Sequence, residues 1–227
     1  MWWKLPMPVR KIALGRRSLT GRLAVPAGRA AITFESSLER DFAALNLFDP
    51  GIASVEEQPV RIEYMEGGTR RRYTPDFLVL YRDPAKPALL AEVKFQEEME
   101  AKRKHLAARF AAAGEFAIQK GWRFQVITEN EIRTPRLENA RFLLPYRLRP
   151  VDAGRCARLN RCLAELGPSS IDGLLNAAWT DEKERLIGLT ALWRMVADFR
   201  FLADLDRPLN KDTVLHLAAQ EALWRQG

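Results

Sequence analysis

The sequence predicts an α/β fold, in which strands and helices alternate around a sheet, followed by a smaller helical region. Short strand-like apolar runs alternate with stretches of helical spacing over roughly the first 130 residues, and beyond residue 150 only helical spacing continues for some 50 residues. The 227 residues are 47% hydrophobic and 29% charged. This composition excludes a disordered chain, a collagen and a membrane bundle.

The first predicted elements are a helix and a hairpin. Residues 36–49 carry apolar side chains three and four positions apart, which is typical of a helix with one buried face. Residues 59–64 alternate apolar and charged side chains, and Gly67 and Gly68 lead into a second run at residues 70–81. A β-hairpin is therefore expected.

Two apolar strands are expected at the centre of the sheet. Residues 77–81 are apolar without alternation, as in a strand buried on both faces, and the loop 82–87 returns the chain to residues 89–95. A helix at residues 97–113 and a strand at residues 122–128 complete the predicted domain.

A domain boundary is predicted near residue 148, where the strand patterns stop. The predicted regions are a basic arm (1–30), an α/β domain (31–148) and a C-terminal domain (149–227). Helices are expected at residues 152–166, 169–178 and 181–198, with a short hairpin within residues 199–217. Three helices plus a hairpin suggest a winged helix-turn-helix.

The positive charge lies at the start of the chain. Residues 1–30 carry seven basic and no acidic side chains, which equals the whole net charge of +7. Such a segment can neutralise phosphates, although a solvated terminus has the same composition. Candidate DNA contacts are Arg10, Lys11, Arg16 and Arg17 in the arm, and Arg70, Arg71 and Arg72 on the hairpin. The three hairpin arginines could instead protect a strand edge from aggregation.

Several functional classes are not supported. No secretory signal or membrane span is recognised, so a cytoplasmic location is expected. Cys156 and Cys162 are expected to be reduced, and His105 and His216 lack metal-ligand spacing. No phosphate-binding GxxxxGK[ST] loop is present, so ATP hydrolysis by this chain is not expected.

Polar residues stand where the two central strands begin and end. Asp76 precedes the first strand, and Glu92, Val93 and Lys94 close the second. Glu92 and Lys94 share one face of their strand, and a symmetric loop places Asp76 opposite Val93 to within about one residue. The three polar side chains are therefore expected to converge.

This group predicts metal-assisted phosphodiester hydrolysis. Asp76 and Glu92 offer oxygen ligands suited to Mg²⁺, the Val93 carbonyl could add another, and Lys94 could orient a water. The alternative is a structural ion pair between Glu92 and Lys94.

Glu39 is the candidate fourth member. Residues 36–39 also match the S-x-x-E capping box, in which this glutamate would only cap its own helix, and spacing does not separate the two roles. Glu35 is a neighbouring alternative carboxylate that would precede the helix.

These residues resemble the TnsA-type endonuclease subunits of heteromeric transposases, which belong to the PD-(D/E)xK, restriction-endonuclease-like superfamily. The resemblance is carried by residues 34–42, 57–59, 73–77 and 92–94. It implies a nuclease core with a mixed sheet flanked by helices and a C-terminal winged-helix-like domain.

The resemblance also implies roles for single residues. Glu39 matches the catalytic glutamate on the helix, Asp76 a metal-ligand aspartate, Glu92 the remaining ligand position and Lys94 the catalytic lysine. Gln58 matches a recurrent glutamine-proline pair that lies beside the ligands or starts a strand. The implied cofactor is Mg²⁺, as two ions, with Mn²⁺ as a substitute.

The implied activity is cleavage of one strand, on the 5′ side, at each transposon end in a prokaryotic cytoplasm. The implied partners are DNA, a DDE transposase that cuts and joins the other strand, and an AAA+ ATPase regulator bound by the C-terminal domain. Residues 151–227 carry 10 basic and 11 acidic side chains, which favours protein docking there over DNA binding. The alternatives are a stand-alone restriction or repair nuclease and a non-catalytic DNA-binding assembly protein.

Overall fold

A computed structural model describes residues 21–23 and 32–218 of the chain. The chain divides into two compact units, with the division between Arg133 and Thr134. The predicted DNA contacts Arg10, Lys11, Arg16 and Arg17 lie outside the described residues.

The described part of the first unit contains eight strands and four helices. In chain order they are β1 (Gly21–Leu23), β2 (Ile32–Phe34), α1 (Ser37–Phe48), β3 (Ile52–Glu57), β4 (Ile62–Glu66), β5 (Thr69–Tyr73), β6 (Phe77–Tyr81), β7 (Leu89–Val93), α2 (Gln96–Ala101), α3 (Arg103–Gln119), β8 (Arg123–Ile127) and α4 (Glu129–Ile132).

The main sheet has the strand order β3-β6-β7-β8. Strand β6 runs antiparallel to β3 and β7, whereas β7 and β8 are parallel, so the sheet is mixed as the resemblance implied. The two predicted central strands do lie at its centre. All five residues of β7 are buried, as in a central strand whose two faces are both covered.

The two faces of this sheet are covered by different elements. On one face, the ring of Phe42 in α1 lies 5.1 Å from the ring of Phe77 in β6. On the other face, Leu78 and Leu90 share a buried cluster with Ala113 of α3. The ends of β6 and β7 are thereby held between two packed layers.

Several elements of the first unit differ from the prediction, and β1, β2 and α4 were not predicted. The edge strand β3 was not predicted, because its residues show no apolar alternation and all six are only half-buried. The predicted run 70–81 splits around Pro75 into β5 and β6, since proline cannot donate a hydrogen bond to a strand ladder. The helix predicted at residues 97–113 breaks at Lys102 and continues to Gln119.

The described part of the second unit is mostly helical. Its elements are α5 (Pro135–Leu143), a 3-10 helix (Leu144–Leu148), α6 (Ala153–Leu166), β9 (Ser169–Ser170), α7 (Ile171–Ala178), α8 (Glu182–Ala197), β10 (Phe201–Leu202) and β11 (Val214–Leu217). Its three short strands pair antiparallel in the order β10-β11-β9. Three helices and a terminal hairpin are present as predicted, and the winged-helix assignment stays a prediction.

The compact units divide earlier than residue 148 because α5 belongs to the second unit. The side chain of Asn139 in α5 donates hydrogen bonds to the carbonyls of Leu205 and Arg207, at 2.9 and 2.7 Å.

Across the described residues, no helix combines the length and the apolar character needed to cross a membrane.

Candidate active site

The candidate site lies where β6 begins and β7 ends. Phe77 pairs with Ala91, so extending the register by one residue places Asp76 opposite Glu92, one position from the predicted partner Val93. Side chains alternate along β7, so Glu92 points to the same face as Leu90, towards α3. The local register of two neighbouring strands thus brings Asp76 and Glu92 together.

Asp76 is fixed by two backbone hydrogen bonds. Its Oδ2 accepts a hydrogen bond from the Val93 N–H at 2.7 Å, and its carbonyl accepts one from the Gln58 N–H at 2.8 Å. Burial of the carboxyl group, followed by the charges of Glu92 and Glu39, holds the pKa of Asp76 well above its usual value. A carboxylate here is therefore costly without a nearby cation.

Glu92 is the most enclosed charged side chain of the site, at 3% exposed. Its Oε1 accepts a hydrogen bond from Lys94 Nζ at 3.0 Å, and its Oε2 accepts one from the Tyr73 hydroxyl at 2.6 Å. Arg109 Nη2 lies 4.0 Å from Oε1. The ion pair between Glu92 and Lys94 that the sequence offered as an alternative is present.

Lys94 is a charged ammonium in this setting. Burial alone would lower its pKa, but the charge and hydrogen bond of Glu92 and the charge of Asp76 raise the pKa above the usual lysine value. Lys94 therefore keeps its proton at neutral pH.

Glu39 lies in the first turn of its helix and approaches the site. Its backbone N–H donates to Ser36 Oγ at 3.1 Å, which is one half of the predicted capping box. Its carboxylate Oε2 accepts from the Glu35 N–H at 2.7 Å, and not from the Ser36 N–H as a complete capping box would require. Burial raises the pKa of Glu39, and its charge in turn raises that of Asp76. The carboxylate thus lies close enough to act on Asp76.

Residues 49–129 match a protein family described as TnsA-like endonuclease N terminal. The chain contains a TnsA-type endonuclease-like domain. The matched segment includes Gln58, Asp76, Glu92 and Lys94, whereas Glu39 precedes it. No curated protein matches the chain.

The donor set of the TnsA-like domain fits a divalent cation chemically. Glu39, Asp76 and Glu92 supply hard carboxylate oxygens, and Lys94 is the nearest opposing charge for Asp76 and Glu92. Three carboxylates face two cations, Lys94 and Arg109, which leaves one negative charge in excess. Burial first, and neighbouring carboxylates after it, raise the pKa values of Asp76 and Glu39. A bound cation would remove that excess.

The carboxylates do not form a ready coordination cluster. Among residues 21–23 and 32–218, no group of three or more His, Cys, Asp or Glu residues is arranged to hold one metal ion. The two Glu92 oxygens face Tyr73 and Lys94, and Asp76 Oδ2 faces the Val93 N–H. The roles of Glu39, Asp76 and Glu92 as ligands, and that of the Val93 carbonyl, stay predictions.

Gln58 supports the start of β6 in the TnsA-like domain. It follows β3 in a left-handed conformation, with a φ of 44°, and this turns its N–H towards the Asp76 carbonyl. Its side chain is 9% exposed, and the Oε1 atom has no hydrogen-bond partner among the described residues. Gln58 therefore acts on Asp76 through the backbone.

The hairpin arginines are exposed but already paired. Arg70 and Arg72 both bond to Glu63, the latter at 3.4 Å, and Arg71 lies 3.7 Å from Glu66. Three arginines against two glutamates leave a net charge of +1 on this surface. Their predicted role as DNA contacts stays a prediction.

Sequence reasoning gave no role to Tyr73 and Arg109. Tyr73 ends β5, so only the closure of the hairpin onto α3 brings its hydroxyl to Glu92. Arg109 stands in the middle of α3, and no spacing in the sequence distinguishes it from other helical arginines. The only available signal was the position of Tyr73 three residues before Asp76.

Proposed function

We propose that this protein is the DNA endonuclease subunit of a heteromeric transposase and that it hydrolyses the 5′ strand at each transposon end. One observation carries the proposal: Asp76, Glu92 and Lys94 meet at the ends of two central strands, inside the segment that matches an endonuclease family. A buried acid pair beside a charged lysine is suited to binding a cation and a phosphate.

The proposed reaction depends on Mg²⁺, as two ions, with Mn²⁺ as a substitute. Asp76, Glu92 and Glu39 would hold the metal, and Mg²⁺ there would polarise the scissile phosphate and acidify a water. Lys94 keeps its proton, so its ammonium can donate a hydrogen bond to the attacking water or to a phosphate oxygen.

The proposed partners are the DNA ends, a DDE transposase that cuts and joins the other strand, and an AAA+ ATPase regulator. The proposed docking region for the regulator is residues 149–227. The near balance of 10 basic and 11 acidic side chains in residues 151–227 supports a protein partner for this region. A prokaryotic cytoplasm is the proposed location.

The test is strand cleavage by wild type and Asp76→Asn, assayed on transposon-end DNA with Mg²⁺ and both partner proteins. Asparagine can still accept the Val93 hydrogen bond, so the fold should persist while the charge is lost. We expect the rate to fall at least about 100-fold, because a metal site of this type contributes several kcal/mol.

The matched control is Asp83→Asn. Asp83 lies in the loop between β6 and β7, at the opposite end of the same strands, where it accepts a hydrogen bond from the Ala85 N–H. Its replacement should leave cleavage unchanged. Equal rates for wild type and Asp76→Asn would contradict the proposal.

One observation favours a second candidate, a non-catalytic DNA-binding assembly protein. Both oxygens of Glu92 are already engaged, by Tyr73 and by Lys94. Mn²⁺ titration calorimetry separates the two functions, because the nuclease requires binding that depends on Asp76 and Glu92. Absence of such binding would favour the assembly protein.

A further inference from the structure

Glu92 is held by two residues that lie outside the proposed catalytic set. Tyr73 of β5 donates its hydroxyl hydrogen to Oε2, and Arg109 of α3 lies 4.0 Å from Oε1. We propose that Tyr73 is a positioning residue that sets the orientation of the Glu92 carboxylate, and that Arg109 completes this positioning. The role assigned to Tyr73 rests on the proposed metal-dependent nuclease function.

The hydroxyl of Tyr73 is a fixed donor. Its ring is 7% exposed and packs in the same buried cluster as Leu78 and Leu90, so the hydroxyl cannot swing away from Glu92. An ionised carboxylate can only accept a hydrogen bond, so the phenolic hydroxyl supplies the hydrogen. The bond therefore runs in one direction, from tyrosine to glutamate.

Arg109 contacts both partners of that bond. Its guanidinium carbon lies 5.5 Å from the centre of the Tyr73 ring and 5.4 Å from that of Phe110, within the range of a cation–π contact. Its Nη2 reaches towards Glu92, while its Nε is buried without a hydrogen-bond partner among the described residues. The Arg109 side chain is 29% exposed, but leaving the buried Nε donor unmet has a cost, which favours a functional role for Arg109.

This arrangement leaves Glu92 able to bind a cation. Each carboxylate oxygen has two acceptor positions. Oε1 faces both Lys94 and Arg109, whereas Oε2 accepts only from Tyr73 among the described residues, so one position on Oε2 is open to a cation. Outer hydrogen bonds of this kind orient metal-binding side chains, and their loss typically costs about 10–100-fold in metal affinity or activity.

The test variant is Tyr73→Phe, which removes only the hydroxyl and keeps the ring under Arg109. We expect its Mn²⁺ affinity, measured by titration calorimetry on the full chain, to fall about 10–100-fold. The control is Tyr81→Phe, at the other end of β6, where the hydroxyl accepts a hydrogen bond from Arg123 instead. That variant should bind Mn²⁺ like wild type.

A crystal structure of Tyr73→Phe without metal gives a second readout that does not depend on the nuclease proposal. We expect the Glu92 carboxylate to turn away from its wild-type orientation. An unchanged orientation together with unchanged Mn²⁺ affinity would overturn the role of Tyr73. If wild type binds no Mn²⁺, the proposed function fails, and the orientation of Glu92 alone then decides whether Tyr73 positions it.

Arg109→Lys is the second variant, because it keeps the charge but loses the flat guanidinium that lies over Tyr73. A drop in Mn²⁺ affinity smaller than that of Tyr73→Phe is expected. Wild-type affinity in this variant would remove Arg109 from the proposal.

Discussion

Buried carboxylates set the chemistry of this site and also destabilise the folded state when they are ionised. Burial and neighbouring charge raise the pKa values of Asp76 and Glu39, so each costs stability when it is ionised at neutral pH. Groups perturbed in this way concentrate at functional sites because binding a ligand there relieves the cost. The raised pKa of Asp76 is consistent with the proposed cation site.

Glu56 of β3 offers a pH test away from that site. Its Oε2 is buried without a hydrogen-bond partner among the described residues, and burial raises its pKa. The folded state therefore holds this proton more tightly than the unfolded state, so stability falls as the pH rises from about 4.5 through the folded pKa. Glu56→Gln lacks this charge and should melt at a higher temperature than wild type at pH ~8.

The gain in the free energy of unfolding of Glu56→Gln over wild type should stay below about 1 kcal/mol, because Glu56 is only partly buried. This gain should vanish near pH ~4. Scanning calorimetry across this pH range checks it. Glu115→Gln, at an exposed carboxylate on α3, serves as the control and should follow the wild-type curve at every pH.

The hairpin of β4 and β5 depends on its two-residue turn. Glu66 pairs with Thr69, and Gly67 and Gly68 have φ values of 56° and 76°. Positive φ at both turn residues matches the twist of the flanking strands, and glycine adopts it without strain. The glycine pair therefore fixes the register that presents Tyr73 to Glu92.

Gly68→Ala should destabilise the protein by about 1–2 kcal/mol, because alanine is strained at positive φ. The matched change is Gly114→Ala in α3, which should stabilise it by about 0.5–1 kcal/mol. An added Cβ would meet no atom within 4 Å at either position, so backbone conformation alone sets the two signs. Urea unfolding gives both values, and a loss of stability in both variants would contradict this account.

Charge is distributed unevenly over the chain. Residues 1–30 carry seven basic and no acidic side chains, while the arginines of the hairpin are paired with Glu63 and Glu66. The arm is therefore expected to supply more of the attraction to DNA than the hairpin does.

Binding of duplex DNA measured over a range of salt concentrations tests this difference. Changing Arg10, Lys11, Arg16 and Arg17 to glutamine should lower the slope of log affinity against log salt by up to about 3.6, at about 0.9 per phosphate contact. Changing Arg70, Arg71 and Arg72 to glutamine should lower this slope by a smaller amount. An equal or larger effect of the hairpin variant would show that its ion pairs open on DNA.

Local patterns in the sequence were enough to predict the central strands, the first helix and the convergence of Asp76, Glu92 and Lys94. Those features depend on neighbours along the chain or on one short loop, whose spacing the sequence states directly. The edge strand β3 and the break at Lys102 were missed because no such pattern marks them.

The residues that surround Glu92 were determined by tertiary packing and not by local sequence patterns. Tyr73 precedes it by 19 residues along the chain and Arg109 belongs to a later helix, yet both reach it once the hairpin and α3 close over one face of the sheet. Spacing along a chain does not encode contacts between elements, because those depend on how whole buried faces fit together.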